Sequence, residues 1–278
     1  MPYRYGHFYV GFVLLVILTG FWATYFAPLG SAMPLAFHVH AATSSTWLLL
    51  LIAQSVAIHR RHNALHKLMG KASFALFPLL MLGFAMIINV SADRYEARES
   101  PFIAYLGPSF GIGMSVALAA YLTLFYLALK HRRNARLHAG YMLATPMILF
   151  ESPFSRAMDR FFPWMNVIGS DGPQGLLDTI VVSNTLVSLF ALALYLRDRK
   201  HGAPWLVAIG FMTVGSAVMW FAPSWPWAAR LFAAYTQFPH WISLAGALLA
   251  GAAAGYLGWY GAPGTRKRAI PRDALPQT

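Results

Sequence analysis

His40 and His240 each lie a few residues inside an apolar stretch, and His66 and His138 stand where two other apolar stretches begin. A neutral imidazole is an axial ligand for haem iron, and close to neutral pH it is also an acid or base. A bis-histidine haem needs one imidazole from each of two facing helices, with a slot between them for the flat macrocycle. The four residues therefore point to two ligand pairs at two depths, His40 with His240 and His66 with His138, for haem b or another metal centre. His38 competes with His40, but two helical positions turn a side chain by about 200°, so only one of them faces a given pocket. His40 is favoured because its stripe continues through Thr43, Ser44, Trp47 and Gln54. The stripe of His240 continues through Ser243, Ala247 and Gly251, small residues past which a helix or a flat ligand comes close.

A second group consists of Glu151, Arg156 and Asp159, in a stretch interrupted by Pro146 and Pro153. Ionisable groups within hydrocarbon are costly and face a partner or a cavity. Here they read either as a proton or anion site beside a proline-kinked helix, or as a salt-bridge group in which Arg156 pairs with Asp159 three residues on and Glu151 is the partner of an outer arginine. Asp178, at the start of the next stretch, suits a helix N-terminus.

The elements that must carry these residues are transmembrane helices. About 20 apolar residues cross a bilayer core, and hydropathy predicts eight spans near 7–27, 35–58, 71–90, 102–129, 138–161, 175–196, 204–222 and 236–260. The fold class expected is an all-α polytopic bundle forming one domain over residues 1–260, followed by a disordered basic cytoplasmic tail over 261–278. Residues 91–101 and the aromatic segment 223–235 read as interfacial pieces opposite the basic face. Gly107 with Gly111 and Gly251 with Gly255 have the spacing that lets helices approach closely.

The net charge of +12 follows from topology. Most Lys and Arg fall in alternate turns, at Arg60 to Lys71, Lys130 to Arg136 and Arg197 to Lys200, and in the tail. Only Arg94, Arg98, Arg156, Arg160 and Arg230 lie on the opposite side. The positive-inside rule then predicts both termini in the cytoplasm and residence in the cytoplasmic (inner) membrane. The basic groups meet anionic lipid, and no soluble basic domain is left to bind nucleic acid. With no cysteine, disulfides, thiolate ligands and iron–sulfur clusters are excluded. Nucleophile-elbow, phosphate-loop and zinc-hydrolase motifs are also absent.

The order of a helical His (His38 or His40), Gln54, the turn His66-Lys67-Leu68-Met69-Gly70-Lys71, then His138-Ala139-Gly140-Tyr141-Met142 and Arg156 resembles a bacterial multi-pass membrane protein family, the DUF 2306 type. Its members show a His-Arg-x-x-Gly-Arg turn and later a His-Arg-x-Trp-Met segment followed by Arg. Here Ala139 and Tyr141 replace the Arg and Trp. The resemblance covers about residues 35–160 and implies no reaction, but it marks His66, His138 and Arg156. The paired histidine depths also resemble the layout of di-haem b-type transmembrane cytochromes, which implies a haem-binding electron carrier exchanging electrons with a quinone or a membrane redox partner. Two further functions remain open from the residues: a proton-coupled transporter or lipid-handling protein using Glu151, Arg156 and Asp159, and a non-enzymatic assembly or sensing protein that uses the small-residue stripes as contacts for partner helices.

Overall fold

Lipid offers no partner to a backbone N–H or C=O, so stretches that cross it satisfy those groups internally as helices. In the computed structural model, which describes residues 2–261, all regular structure is helical. The helices are α1 (Gly6–Phe21), α2 (Leu35–His59), α3 (Asn63–Glu96), α4 (Pro101–Lys130), α5 (Ala135–Phe161), α6 (Gln174–Arg197), α7 (Ala203–Phe221), the short α8 (Pro226–Thr236) and α9 (His240–Tyr260). The expected basic tail lies, beyond Gly261, outside the described residues.

Seven helical stretches are long and apolar enough to cross a membrane: α1 with the π-helical turn Trp22–Phe26, then α2, α3, α4, α6, α7 and α9. The eighth expected span, α5, forms a helix of 27 residues but falls outside this set. Arg136, His138, Glu151, Arg156, Asp159 and Arg160 dilute its apolar surface. That polarity is tolerated because α1, α4, α6 and α7 pack around it. Elsewhere the outward faces are apolar: Phe8, Phe12, Leu15 and Leu18 recur at helical spacing along α1, and all are exposed. Leu189, Phe190 and Leu196 are exposed on α6 as well. Continuous apolar stripes of this kind suit lipid and are poorly tolerated by water. The bundle is that of an integral membrane protein.

Neighbours are set largely by where a side chain is missing. α4 runs against α3, α5, α7 and α9, while α3 packs on α2 along one flank and on α9 along another. A Cβ at Gly251 of α9 would lie 2.7 Å from Pro78 Cα of α3, and one at Gly255 3.2 Å from the Phe74 ring. At Gly111 of α4 it would lie 2.0 Å from the Phe232 ring of α8. The small-residue stripes are thus consumed by packing within the chain.

At the end opposite the basic turns, α3 continues to Glu96, so most of the piece expected at 91–101 is helix and only a turn precedes α4. Ser100 caps α4, its Oγ accepting from Ile103 N–H at 3.2 Å. The aromatic segment does form its own element, α8, with Ala228 and Phe232 buried and Trp227 and Leu231 exposed. At the basic end Asn134 caps α5 by accepting from the N–H groups of Arg136 and Leu137. Arg136 in turn donates to Asp198 at 2.8 Å, tying α5 to the turn between α6 and α7. Hydrogen bonds from His201 and then Arg136 hold the Asp198 carboxyl below its usual range.

Asp178 does not serve as a helix cap. It sits in the second turn of α6, fully buried, and accepts from Ser170 N–H at 2.7 Å, Ser170 Oγ–H at 3.0 Å and Trp220 Nε1–H at 2.8 Å. One carboxylate thereby pins the loop before α6 and the end of α7. Asp178→Ala strands all three donors and is expected to destabilise the fold by about 2–3 kcal/mol. Asp178→Asn, which still accepts through Oδ1, should lose less. Thermal unfolding of the detergent-purified variants measures the difference.

Candidate functional site

At the basic end the bundle opens. The last turns of α2, α4 and α9 and the first turns of α3 and α5 leave a cavity of about 1080 Å³ between them. Its walls are apolar and aromatic, including Trp47, Leu51, Phe74, Met142 and Trp259, and Lys67, Lys71 and Arg132 also line it. Trp47 is the deepest of these. It is fully buried, with ring centroids 5.4 and 5.6 Å from Phe77 and Phe125, and its Nε1–H donates to Thr145 Oγ1 at 2.9 Å. The Arg132 guanidinium lies over the Trp259 ring at 4.3 Å from its centroid, a cation–π contact that keeps charge beside an apolar wall.

Besides its cations, the polar groups lining the cavity are Gln54, Ser55, Ser73, the tyrosines Tyr3, Tyr256 and Tyr260, and three imidazoles, His59, His66 and His138. Two of the four histidines singled out in the sequence, His66 and His138, therefore line one space, and His138 lies within range of the His66 charge. The hydrogen-bond partners of the imidazoles differ in a decisive way. His138 Nδ1 meets the Ala128 carbonyl at 2.8 Å, and His59 Nδ1 meets the Ser55 carbonyl at 2.7 Å. A carbonyl only accepts, so in both rings Nδ1 carries the proton and neutral Nε2 is a lone pair.

His66 is arranged the other way round. The Gln54 side-chain amide lies against the first turns of α3, where its orientation is set by two backbone groups of fixed polarity. Its NH₂ donates to the His66 carbonyl at 3.1 Å and its oxygen accepts from Gly70 N–H at 2.9 Å. The same NH₂ meets His66 Nδ1, which must accept, leaving the proton on Nε2. Gly70 allows this approach: a Cβ there would stand 3.6 Å from the Gln54 amide. The inward stripe of α2 read from sequence thus delivers Gln54 to a site, as a residue that orients His66.

The other expected pair is not assembled. His40 packs on Gly83 and Phe84 of α3, its ring edge on the Phe84 face at 4.9 Å, and its buried Nδ1 has no partner among the described residues. His240, half exposed at the start of α9, pairs through Nε2 with Asp93 at 3.1 Å. Asp93 stands nine residues beyond Phe84, about 14 Å along the axis of α3. Helix α3 lies between α2 and α9, so no flat ligand spans His40 and His240. His38 turns away as its spacing requires, to the Tyr25 hydroxyl at 3.1 Å.

Of the second group, Glu151 and Arg156 act on each other by charge, while Asp159 stands apart. Arg156 donates to Ser152 O and Oγ at 2.9 and 2.7 Å and lies over the Phe21 ring at 4.9 Å. Asp159 is exposed, and the expected pair with Arg156 is not formed among the described residues. Glu151 turns inward instead, towards Asn184, whose Nδ2 donates to Ser216 Oγ at 2.9 Å. The small space beside it holds about 30 Å³, roughly one water.

The donor set can be tested against haem or another metal. Axial ligation needs two Nε2 lone pairs. His138 and His59 each offer one, but His66, held by Gln54, presents N–H, so the expected pair of His66 with His138 does not fit a bis-histidine iron. No group of three or more His, Asp or Glu able to hold a metal ion occurs among the described residues. Sequence reading missed His59, which resembled an ordinary polar residue at a basic turn, and it took Lys67, Lys71 and Arg132 only as topological charges. The aromatic wall supplied by α9 had no signal at all, because nothing in the chain states that α9 packs on α3 and α4 and faces α2 and α5 across the cavity. No family model, no curated protein and no solved structure matches this chain, so its function has to be read from the cavity itself.

Proposed function

We propose that this integral membrane protein, embedded in the cytoplasmic membrane with the basic end inward, binds a lipid-soluble small molecule in the cavity between α2, α3, α4, α5 and α9. The observation that carries this reading is the convergence of His66 and His138 on a largely apolar space of about 1080 Å³. Ligand pockets of such size are mostly hydrophobic, with a few placed polar groups that fix orientation. The aromatic walls take up the apolar body of the ligand, and the imidazoles hold its polar end. Lys67, Lys71 and Arg132 stand where the site meets headgroups and water, and they attract the polar end of an amphiphile arriving from the inner leaflet.

Native mass spectrometry of the gently solubilised full chain tests this reading. A non-protein adduct of small-lipid size is expected on the wild type. Leu51→Trp, which fills the cavity from its wall, should remove it while the thermal unfolding temperature stays within a few degrees. A wild-type chain free of any adduct would sink the proposal. A Soret band in the same preparation would replace it with the haem reading.

A further inference from the structure

The opposed tautomers in the cavity say more about the ligand than its size does. We infer that the ligand is a neutral, lipid-soluble hydroxylated ring of the hydroquinone class, its hydroxyl accepting from His66 Nε2–H and donating to His138 Nε2. This rests on the reading of the cavity as a ligand site and specifies what enters it.

The argument is one of hydrogen-bond polarity. Gln54 and Ala128 set the two rings oppositely, so the cavity offers one N–H and one lone pair from His66 and His138, the second of which feels the charge of the first. A third imidazole, His59, adds a second lone pair: its Nδ1 is taken by Ser55 O, and its buried Nε2 has no partner among the described residues. A phosphate or carboxylate anion brings acceptors only. It would satisfy His66 and face the lone pairs of His138 and His59, an unfavourable match that the rim lysines do not remove. A quinone also brings only acceptors and leaves His138 unsatisfied. A phenolic hydroxyl both donates and accepts, so it answers both rings at once. The flat walls of Trp47, Phe74 and Trp259 suit an aromatic ring by offset or edge contacts.

A site built to pair with a ligand hydroxyl discriminates against the analogue that lacks it, because the buried polar group is then left unpaired. The test is calorimetric titration, under anaerobic conditions, of the full chain in nanodiscs with a hydroquinone bearing one isoprenoid unit and with its oxidised quinone, empty nanodiscs serving as blank. The hydroquinone is expected to bind on the order of tenfold more tightly, the weight of one hydrogen bond. In His138→Phe its affinity should fall to that of the quinone. The wild-type comparison stands alone if that variant fails to fold.

Equal affinities, or tighter binding of the quinone, overturn the inference and leave the cavity proposal intact. Displacement of the hydroquinone by dodecyl phosphate at lower concentration also overturns it, in favour of an anionic headgroup. If neither compound binds while the native adduct is present, the ligand class is wrong. If the adduct is missing too, the cavity reading falls first.

Discussion

Replacing Trp47 with alanine is expected to cost about 3–5 kcal/mol of stability, the range for deleting a large buried aromatic. Trp47 is fully enclosed, rests on the stacked pair Phe77 and Phe125, whose centroids are 3.9 Å apart, and ends in a hydrogen bond to Thr145. Its removal extends the cavity into the core, so the retained ligand should loosen as well. Trp47→Phe separates the two contributions. It keeps a six-membered ring in the site and loses the N–H with the remainder of the indole, while Thr145 Oγ1 still donates to the Met142 carbonyl at 2.8 Å. A loss of about 1–2 kcal/mol is expected there, well short of the alanine variant. Chemical denaturation in mixed micelles gives both values, and an alanine variant as stable as the wild type would show that Trp47 is not the keystone of this wall.

Gly20→Ala should be as damaging for a different reason. A Cβ at that position would lie 2.0 Å from the Pro153 carbonyl oxygen and 2.6 Å from its carbon. Both are backbone atoms of α5, so no rotamer change makes room and α1 must move away from α5. Overpacking usually costs about 1–3 kcal/mol, and a rigid backbone obstacle puts this case at or above the top of that range. Gly11 on the same helix is the control, since a Cβ there meets nothing within 4 Å. Gly11→Ala should leave stability unchanged or raise it by about 0.5–1 kcal/mol through helix propensity. Equal effects at the two positions would mean that α1 is not seated against Pro153.

Much of the site at the basic end was already legible along the chain. His66 and His138 were selected because each begins an apolar stretch beside a basic turn, and alternation of spans brings such positions to the same end of the bundle. Gln54 was selected because it shares the stripe of His40 and Trp47, and that stripe does face inward. The reasoning failed where it required two particular helices to be neighbours. Depth alone paired His40 with His240, yet α3 occupies the place where their common ligand would have to stand. Proximity in sequence paired Arg156 with Asp159, but Arg156 turns to Ser152 and Phe21, and its charge partner is Glu151.

What the amino-acid order determined by itself is what the bilayer acts on one helix at a time: which stretches become helices, which ends carry the cations and which face of α2 avoids lipid. Lipid imposes those features through backbone satisfaction and the transfer cost of charge, and neither depends on which helix stands alongside. Only the tertiary structure decided that Gln54 would turn His66 into a donor, that Ala128 would leave His138 an acceptor, and that α9 would wall them in. Those outcomes depend on lateral order in the bundle, which is set by close approach at glycines such as Gly83 and Gly251, and apolar helices of similar length give hydropathy no means to tell one neighbour from another.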